Sequence, residues 1–425
     1  MLSGLLRRWW LTPSVVVPPL VAAVWVLTGG SWMSSDLDVY RSGADHVLHG
    51  LSLYAAWPGL PFTYPPFAAL VLAPLAVVPA ALATVLWLLL SWLAYLGFAG
   101  VLLARLGLRG RRLVLALAAG LAFEPVWHTV ALGQINLVLG LLIVLDTLVL
   151  PARWRGLGVG IAAGIKLTPA IFLLYFALRR EWWAMARAAA GLAITMAISA
   201  VVVPSDAWDY WTRLFYAADR IPGVEYVNNQ SLHAVLIRAA HDLHPSLVLG
   251  AVADVLALAL TALAAHRQLR RGHDVAALVA VAVGGLLVSP VSWTHHWIWL
   301  VPAAGVLLTQ RRYVGAALIT ATAVAAPMRF LPKTLGRELH YVWWQELICA
   351  AYVVVGIVYL LLMLLPESAQ ARRSEAPSRR NLGLQPGGCA DSRSCEAEVA
   401  PTRLRRRRPP ASAPRWPSGR RSGRT

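Results

Sequence analysis

Charge is scarce in this sequence: 14% of its 425 residues are Asp, Glu, Lys or Arg, and only two, Lys166 and Lys333, are lysine. Cysteine is scarcer still, with Cys349 in an apolar run and Cys389 and Cys395 in a polar tail. No second pair stands at metal-ligand spacing, and no His-x₃-His occurs, so neither a zinc centre nor a disulfide framework is implied. There is no Gly-rich nucleotide loop, Walker sequence or Gly-x-Ser-x-Gly elbow. That argues against an ATP-driven pump and against a serine hydrolase. No internal repeat is visible, which weakens an inverted-repeat transporter.

Apolar residues fill the space instead. They make up 58% of the chain, with a mean hydropathy of +0.60, against about 45–50% apolar and about 25% charged in a soluble domain. Leu, Ala, Val and Trp recur in runs of about 20 residues, the length that crosses a hydrocarbon layer of about 30 Å. A soluble enzyme and a nucleic-acid-binding domain are thereby excluded. The runs fall at about 11–29, 65–79, 81–104, 112–131, 134–150, 156–178, 183–203, 245–266, 273–289, 293–309, 312–327 and 344–365. The predicted fold is an all-α integral membrane bundle of about 12 spans over 1–365. Arg7 and Arg8 ahead of the first run read as the cytoplasmic flank of an uncleaved helix.

The formal charge of +18 is divided evenly between that region and the segment Pro366–Thr425, which holds 14 Arg and five acids. The tail has almost no aliphatic residues, so 366–425 is expected to be a disordered, basic, cytoplasmic extension beside the membrane lipids. Elsewhere the Arg clusters set the orientation. Both termini are expected in the cytoplasm, with segments 30–64, 204–244 and 328–343 outside. Twelve full crossings leave Arg105–Arg112 and Arg153/Arg155 on the wrong side. Making 65–79 and 156–178 re-entrant repairs the charges and leaves ten.

Polar residues at span ends carry the chemistry, because polar groups within the membrane are costly. In the first external loop, Val39, Gly43, Val47 and Leu51 share a face, predicting an amphipathic helix from about Leu37 to Gly50. Asp36 stands at its start as a candidate N-cap, and Asp38 in its first turn. Gly133-Gln134-Ile135-Asn136 joins two runs, with Asn136 a candidate cap. Asp146 lies inside a run and needs a partner. Lys166 precedes Pro169, where a broken helix frees backbone carbonyls. Lys166 either snorkels, pairs with Asp146 or faces a site. Asn228-Asn229-Gln230-Ser231 caps a helix near Leu232, and Ser289–Trp297 contains the adjacent His295 and His296.

The run Asp36-Leu37-Asp38-Val39-Tyr40, Gly50 and Tyr54 beyond it, and Tyr64-Pro65-Pro66 resemble the polyprenol-phosphate-mannose-dependent α-(1→2)-mannosyltransferases of actinobacteria, membrane enzymes of the GT-C superfamily. Gly133-Gln134-x-Asn136, Gly164-x-Lys166-x-x-Pro169, Asn229-Gln230-Ser231 and Ser289-Pro290-x-Ser292-Trp293-x-His295-His296 also look like that group. The resemblance runs from about residue 30 to 300. It implies an inverting transfer of mannose from a lipid-linked sugar donor to a glycolipid acceptor on the extracytoplasmic face of the cell membrane. No nucleotide, nucleic acid, cofactor or metal is involved on this reading. By motif position the general base falls on Asp36, with Asp38 the alternate. Donor-phosphate and substrate contacts fall on His295, His296, Lys166, Tyr64, Gln134, Asn136, Asn229 and Gln230. Gln134 and Asn136 conflict with twelve crossings, which put them at the cytoplasmic face. A polytopic transporter or lipid flippase, or an enzyme using a polyprenyl-phosphate sugar such as arabinose, is the alternative.

Overall fold

The computed structural model describes residues 12–30, 32, 34–55, 59–217, 220–334 and 336–366, with side chains from Val17 onward. All of these lie within one compact unit, Met1–Glu375. The expectations for Arg7, Arg8 and the tail after Pro366 lie outside the described residues. Among the described residues the elements are helical. They are α1 (Thr12–Leu27), α2 (Ser35–Leu48), α3 (Pro66–Leu72), α4 (Ala80–Arg105), α5 (Gly110–Gly120), α6 (Glu124–Leu132) and α7 (Asn136–Val144). There follow α8 (Leu157–Ile165), α9 (Phe172–Leu178), α10 (Trp182–Val202), α11 (Pro204–Asp209), α12 (Leu232–Ala240) and α13 (Leu247–Arg270). The last are α14 (Asp274–Val288), α15 (Leu300–Thr309), α16 (Tyr313–Ala325), α17 (Trp343–Cys349) and α18 (Ala351–Leu364).

By length and composition, four helices among the described residues can each cross a membrane, and six if the bent pairs α5–α6 (64°) and α17–α18 (67°) are each one span. This is fewer than the twelve apolar runs, because several runs are broken into short helices. The outward faces of α1, α10 and α13 expose large side chains such as Leu20, Trp25, Ile194, Val201, Leu256 and Leu263. An apolar surface of that extent suits lipid rather than water. The centre is α14, buried along most of its length beneath α13, α18 and α9.

Two of the twelve runs return to the end they left. Tyr64, just before α3, bonds to Tyr40 of α2 at 3.1 Å. Arg41, the next residue of α2, donates to the carbonyls of Leu75 and of Val78 (3.0 Å). A segment that starts and finishes on neighbouring residues of one helix has not crossed a layer of about 30 Å. The run 156–178 behaves likewise. Arg155 before it and Arg179 after it both lie 2.8 Å from Glu181, while Lys166 sits at its tip. Close packing holds α8 against α10 there. Gly156, Gly160 and Gly164 form a stripe against Ala184, Ala188 and Thr195 of α10, where any Cβ would collide; small residues at four-residue spacing are the usual device for close helix approach in membranes.

The first of these returns puts the turn between α6 and α7 at the same end as α2. Gly133, at φ 70°, allows it: a Cβ there would stand 2.7 Å from Cβ of Leu37. The conflict over Gln134 and Asn136 is removed, since both reach the neighbourhood of Asp36. The opposite end collects Arg105, Arg155, Arg179 and Arg187, bonded to Leu148, Glu181, Asp274 and Arg155 respectively.

Candidate active site

At the α2 end lies a cavity of about 680 Å³, walled by residues from α2, the loop to α3, α6, the α8 tip, the 204–244 segment and the His295–His296 turn. The loop after α2 and the segment that begins with α11 are tied together above it. Asp206 accepts from Ser52 Oγ (2.9 Å) and Leu53 N (3.2 Å), and Arg220 donates to Thr63 O (2.8 Å). These bonds hold the loops as one roof.

Asp36 lies in the first turn of α2, one residue inside the helix, and does not cap it; Ser34 occupies the N-cap position. The carboxylate instead faces the cavity, where Oδ1 accepts from Gln134 Nε2 at 2.9 Å. Oδ2 makes no hydrogen bond among the described residues. Burial pushes the Asp36 carboxyl up to about 6, against the opposing pull of Lys166. Gln134 is fixed by Tyr40 and by Tyr64, whose hydroxyl accepts from Nε2 at 3.1 Å. The side chain two residues on, Asp38, is exposed, accepts from Ser34 Oγ at 3.2 Å and does not line the cavity.

Lys166 ends α8 and turns into the same cavity. Its ammonium donates to Asn136 Oδ1 (3.0 Å), lies 3.1 Å from His296 Nε2 and stands 5.4 Å above the Tyr64 ring. A pairing with Asp146 does not occur. Asp146 binds the backbone amides of Gly156 (2.8 Å) and Gly158 (3.2 Å) at the start of α8, where a carboxylate suits the helix dipole. Asn136 does not cap α7; its amide donates to His295 O at 3.0 Å, coupling the lysine to the histidine turn. His295 is buried against the cavity, and neither ring nitrogen has a partner among the described residues. No group of three or more metal-ligating side chains occurs among the described residues.

Asn229 and Gln230 are drawn elsewhere. Both are fully buried and neither side chain lines the cavity. Asn229 Oδ1 accepts from Ser292 N (2.9 Å), while Gln230 bridges Val227 O (2.8 Å), Cys349 O (2.7 Å) and Tyr352 N (3.1 Å). They lock the 204–244 segment to the histidine turn and to α17–α18. Ser231 caps α12 by accepting from Ala234 N at 3.1 Å, as its place in the sequence predicts.

Comparison with known proteins settles the family. The model of Glycosyltransferase family 87 matches residues 62–290. A relative from Mycobacterium tuberculosis, 33% identical over 397 residues, covers 86% of this chain and 92% of its own. A second, from Mycolicibacterium smegmatis, is 35% identical over 381 residues, 79% of this chain and 86% of its own. Both bear the name polyprenol-phosphate-mannose-dependent alpha-(1-2)-phosphatidylinositol mannoside mannosyltransferase. A third, also from M. smegmatis, is 34% identical, with 84% and 90% covered, and is the corresponding phosphatidylinositol pentamannoside mannosyltransferase. No solved structure matches.

The chain belongs to glycosyltransferase family 87.

At this cavity of a family 87 glycosyltransferase stand residues that the sequence reading passed over. Glu124 and His128 stand one helical turn apart on α6, joined at 2.7 Å, and His128 lines the cavity. The signal was present: Glu124 is an ionisable residue inside the apolar run 112–131, and such residues mark sites or buried networks. Arg220 was also unremarked. It stacks 5.5 Å over Tyr54 and 5.6 Å over Tyr210 in the cavity roof.

Proposed function

We propose that this membrane glycosyltransferase transfers mannose from a polyprenol-phosphate-mannose donor to a phosphatidylinositol mannoside acceptor, forming an α-1,2 linkage with inversion. The observation that carries the site assignment is a cavity-facing carboxylate, Asp36, with one oxygen held by Gln134 and the other without a partner. A sugar hydroxyl is a weak nucleophile, and a carboxylate poised near neutrality takes its proton as the C1–O bond forms. Single displacement at C1 breaks the bond to the lipid phosphate, which departs with the electron pair. Lys166 supplies the cation for that phosphate, positioned by Asn136 and His296, with His295 adding a further ring at the same wall. Charge stabilisation of a departing group in a dry site is often the largest catalytic term. Tyr64 and Gln134 orient the base.

The bundle is read as ten crossings, with 65–79 and 156–178 re-entrant, both termini in the cytoplasm and the cavity outside. That arrangement puts Arg105, Arg155 and Arg179 on the cytoplasmic side, in agreement with the positive-inside rule. It also gives a lipid-borne donor and a glycolipid acceptor access from the outer leaflet.

The deciding assay follows transfer from radiolabelled polyprenyl-phosphate-mannose to a phosphatidylinositol mannoside in membranes carrying the wild type or Asp36→Asn. Labelled glycolipid from wild type alone is expected. Absence of product from both, with intact substrates, overturns the reading, and product formed only from polyprenyl-phosphate-arabinose changes the sugar. Activity retained in Asp36→Asn but lost in Asp38→Asn would move the base by two residues.

A further inference from the structure

Beside the Asp36–Lys166 pair the cavity wall carries an imidazole with no place in the reaction just described. His128 is buried on α6, its Nδ1 2.7 Å from Glu124 Oε1 and 3.2 Å from Thr294 Oγ1. Glu124 is fully buried and serves as the hub of a closed set. It also receives Thr294 Oγ1 (2.8 Å), Arg329 Nη1 (3.2 Å) and Tyr352 OH (3.0 Å), so three further elements converge on it. The ring is additionally braced edge-on against His295, with centroids 5.4 Å apart.

This environment selects a tautomer. The Glu124 carboxylate accepts from Nδ1–H, with the Arg329 guanidinium on the same oxygen at 3.2 Å. With Nδ1–H given to Glu124, the neutral ring presents a lone pair on Nε2. His128 lines the cavity, and Nε2 makes no hydrogen bond among the described residues. A fixed acceptor of this kind at the wall of a sugar-sized cavity has an obvious complement, a hydroxyl donor.

Resting on the mannosyl-transfer reading, we propose that His128 is a specificity-determining residue whose Nε2 accepts a hydrogen bond from one sugar hydroxyl, with Glu124 as the positioning residue that fixes the tautomer. The hydroxyl belongs to the mannose being transferred or to the mannose that receives it. Either source presents the same chemistry, and single-deoxy substrates separate them. A site built around such a bond rejects the analogue lacking the hydroxyl, since a buried acceptor is left unpaired.

The test measures kcat/KM of the full-length enzyme in membranes with a series of donors and acceptors, each lacking one hydroxyl other than the nucleophile. Wild type is expected to lose roughly 10- to 100-fold on one member of the series. His128→Phe is expected to fall by a similar factor on the complete substrates, and to lose its preference for that single hydroxyl while keeping the others. The preference is a ratio within one variant, so the amount of folded enzyme cancels. His128→Gln, which offers an amide oxygen, is expected to restore part of the ratio, and Glu124→Gln to give an intermediate one. Loss on a donor analogue assigns the contact to the transferred sugar, loss on an acceptor analogue to the receiving one. A wild type indifferent to every single deletion overturns the proposal, as does an unchanged ratio in His128→Phe or, where that variant is inactive, in His128→Gln. An unchanged ratio in Glu124→Gln removes Glu124 from it. Wild type inactive with complete substrates instead defeats the mannosyl-transfer reading itself.

Discussion

At the arginine end of the bundle, Glu181 lies 2.8 Å from both Arg155 and Arg179, and Arg179 lies 2.5 Å from Asp274. At the cavity end, Asp36 receives only the neutral amide of Gln134, and Lys166 only a neutral amide oxygen and an imidazole. Both ends hold charge where water is limited, yet Asp36 and Lys166, unlike Glu181, have no opposite charge at contact distance. Charges matched in that way lock segments together. Charges held by neutral partners keep their capacity for a further ligand, and a cavity of about 680 Å³ lies where that ligand would be.

The comparison breaks most visibly at Asp36. Asp36→Asn keeps the shape and the Gln134 contact but removes the proposed base, so kcat should fall by roughly 10²- to 10⁴-fold with donor affinity retained. Next comes Lys166→Met, which preserves the stem and removes the cation. If the leaving phosphate relies on it, kcat should fall about 10²-fold in the same assay. A fall confined to KM would instead make Lys166 a ground-state binder.

The pH profile sharpens the contrast further. The proposed base, Asp36, works deprotonated, and burial raises its pKa to about 6. Activity should therefore drop as pH falls through about 6, roughly tenfold per unit below it, rather than near the ordinary carboxylate value. Lys166 draws that value down, so the residual activity of Lys166→Met should show its acidic limb at higher pH. A limb that stays put would separate the two groups electrostatically.

Much of the cavity end was legible in the sequence because intramembrane polar residues are rare enough to stand out. Asp36, Tyr64, Gln134, Asn136, Lys166, His295 and His296 all come from polar breaks between apolar runs, and all meet around one cavity or its hydrogen bonds. Run length failed where hydropathy has no direction. The pattern of 156–178 is equally apolar whether it crosses or turns back at Lys166, and only the Arg155–Glu181–Arg179 contacts distinguish the two. Asn229 and Gln230 misled for a related reason. A polar side chain at a span end is needed either by a substrate or by unpaired backbone, and the sequence does not say which. Glu124 and His128 were overlooked because Pro125 and Trp127 make the stretch read as the continuation of an apolar run.

Gln230 gives the means to tell the two uses apart. Gln230→Ala should strand the buried carbonyl of Cys349 and the amide of Tyr352, costing about 2 kcal/mol of stability. That would be seen as a lower thermal midpoint in detergent, while the deoxy-sugar preferences and the acidic limb of surviving enzyme stay unchanged. A selective loss of donor binding at unaltered stability would return Gln230 to the substrate.

The smallest expected effect belongs to the arginine end. Glu181 is about a quarter exposed, so water screens its pairs and each contributes about 1 kcal/mol or less. Glu181→Gln keeps the length of the side chain and one acceptor oxygen, leaving Arg155 and Arg179 with a neutral partner of the kind Asp36 has at the other end. A modest fall in thermal midpoint with kcat, KM and pH profile intact is expected, because nothing at that end awaits a ligand. The same exchange of carboxylate for amide would then remove catalysis at position 36 and leave it untouched at 181. If Glu181→Gln instead reduced kcat strongly, the 156–178 hairpin would be transmitting strain from its base to Lys166 at its tip, and the division between a structural end and a chemical end would fail.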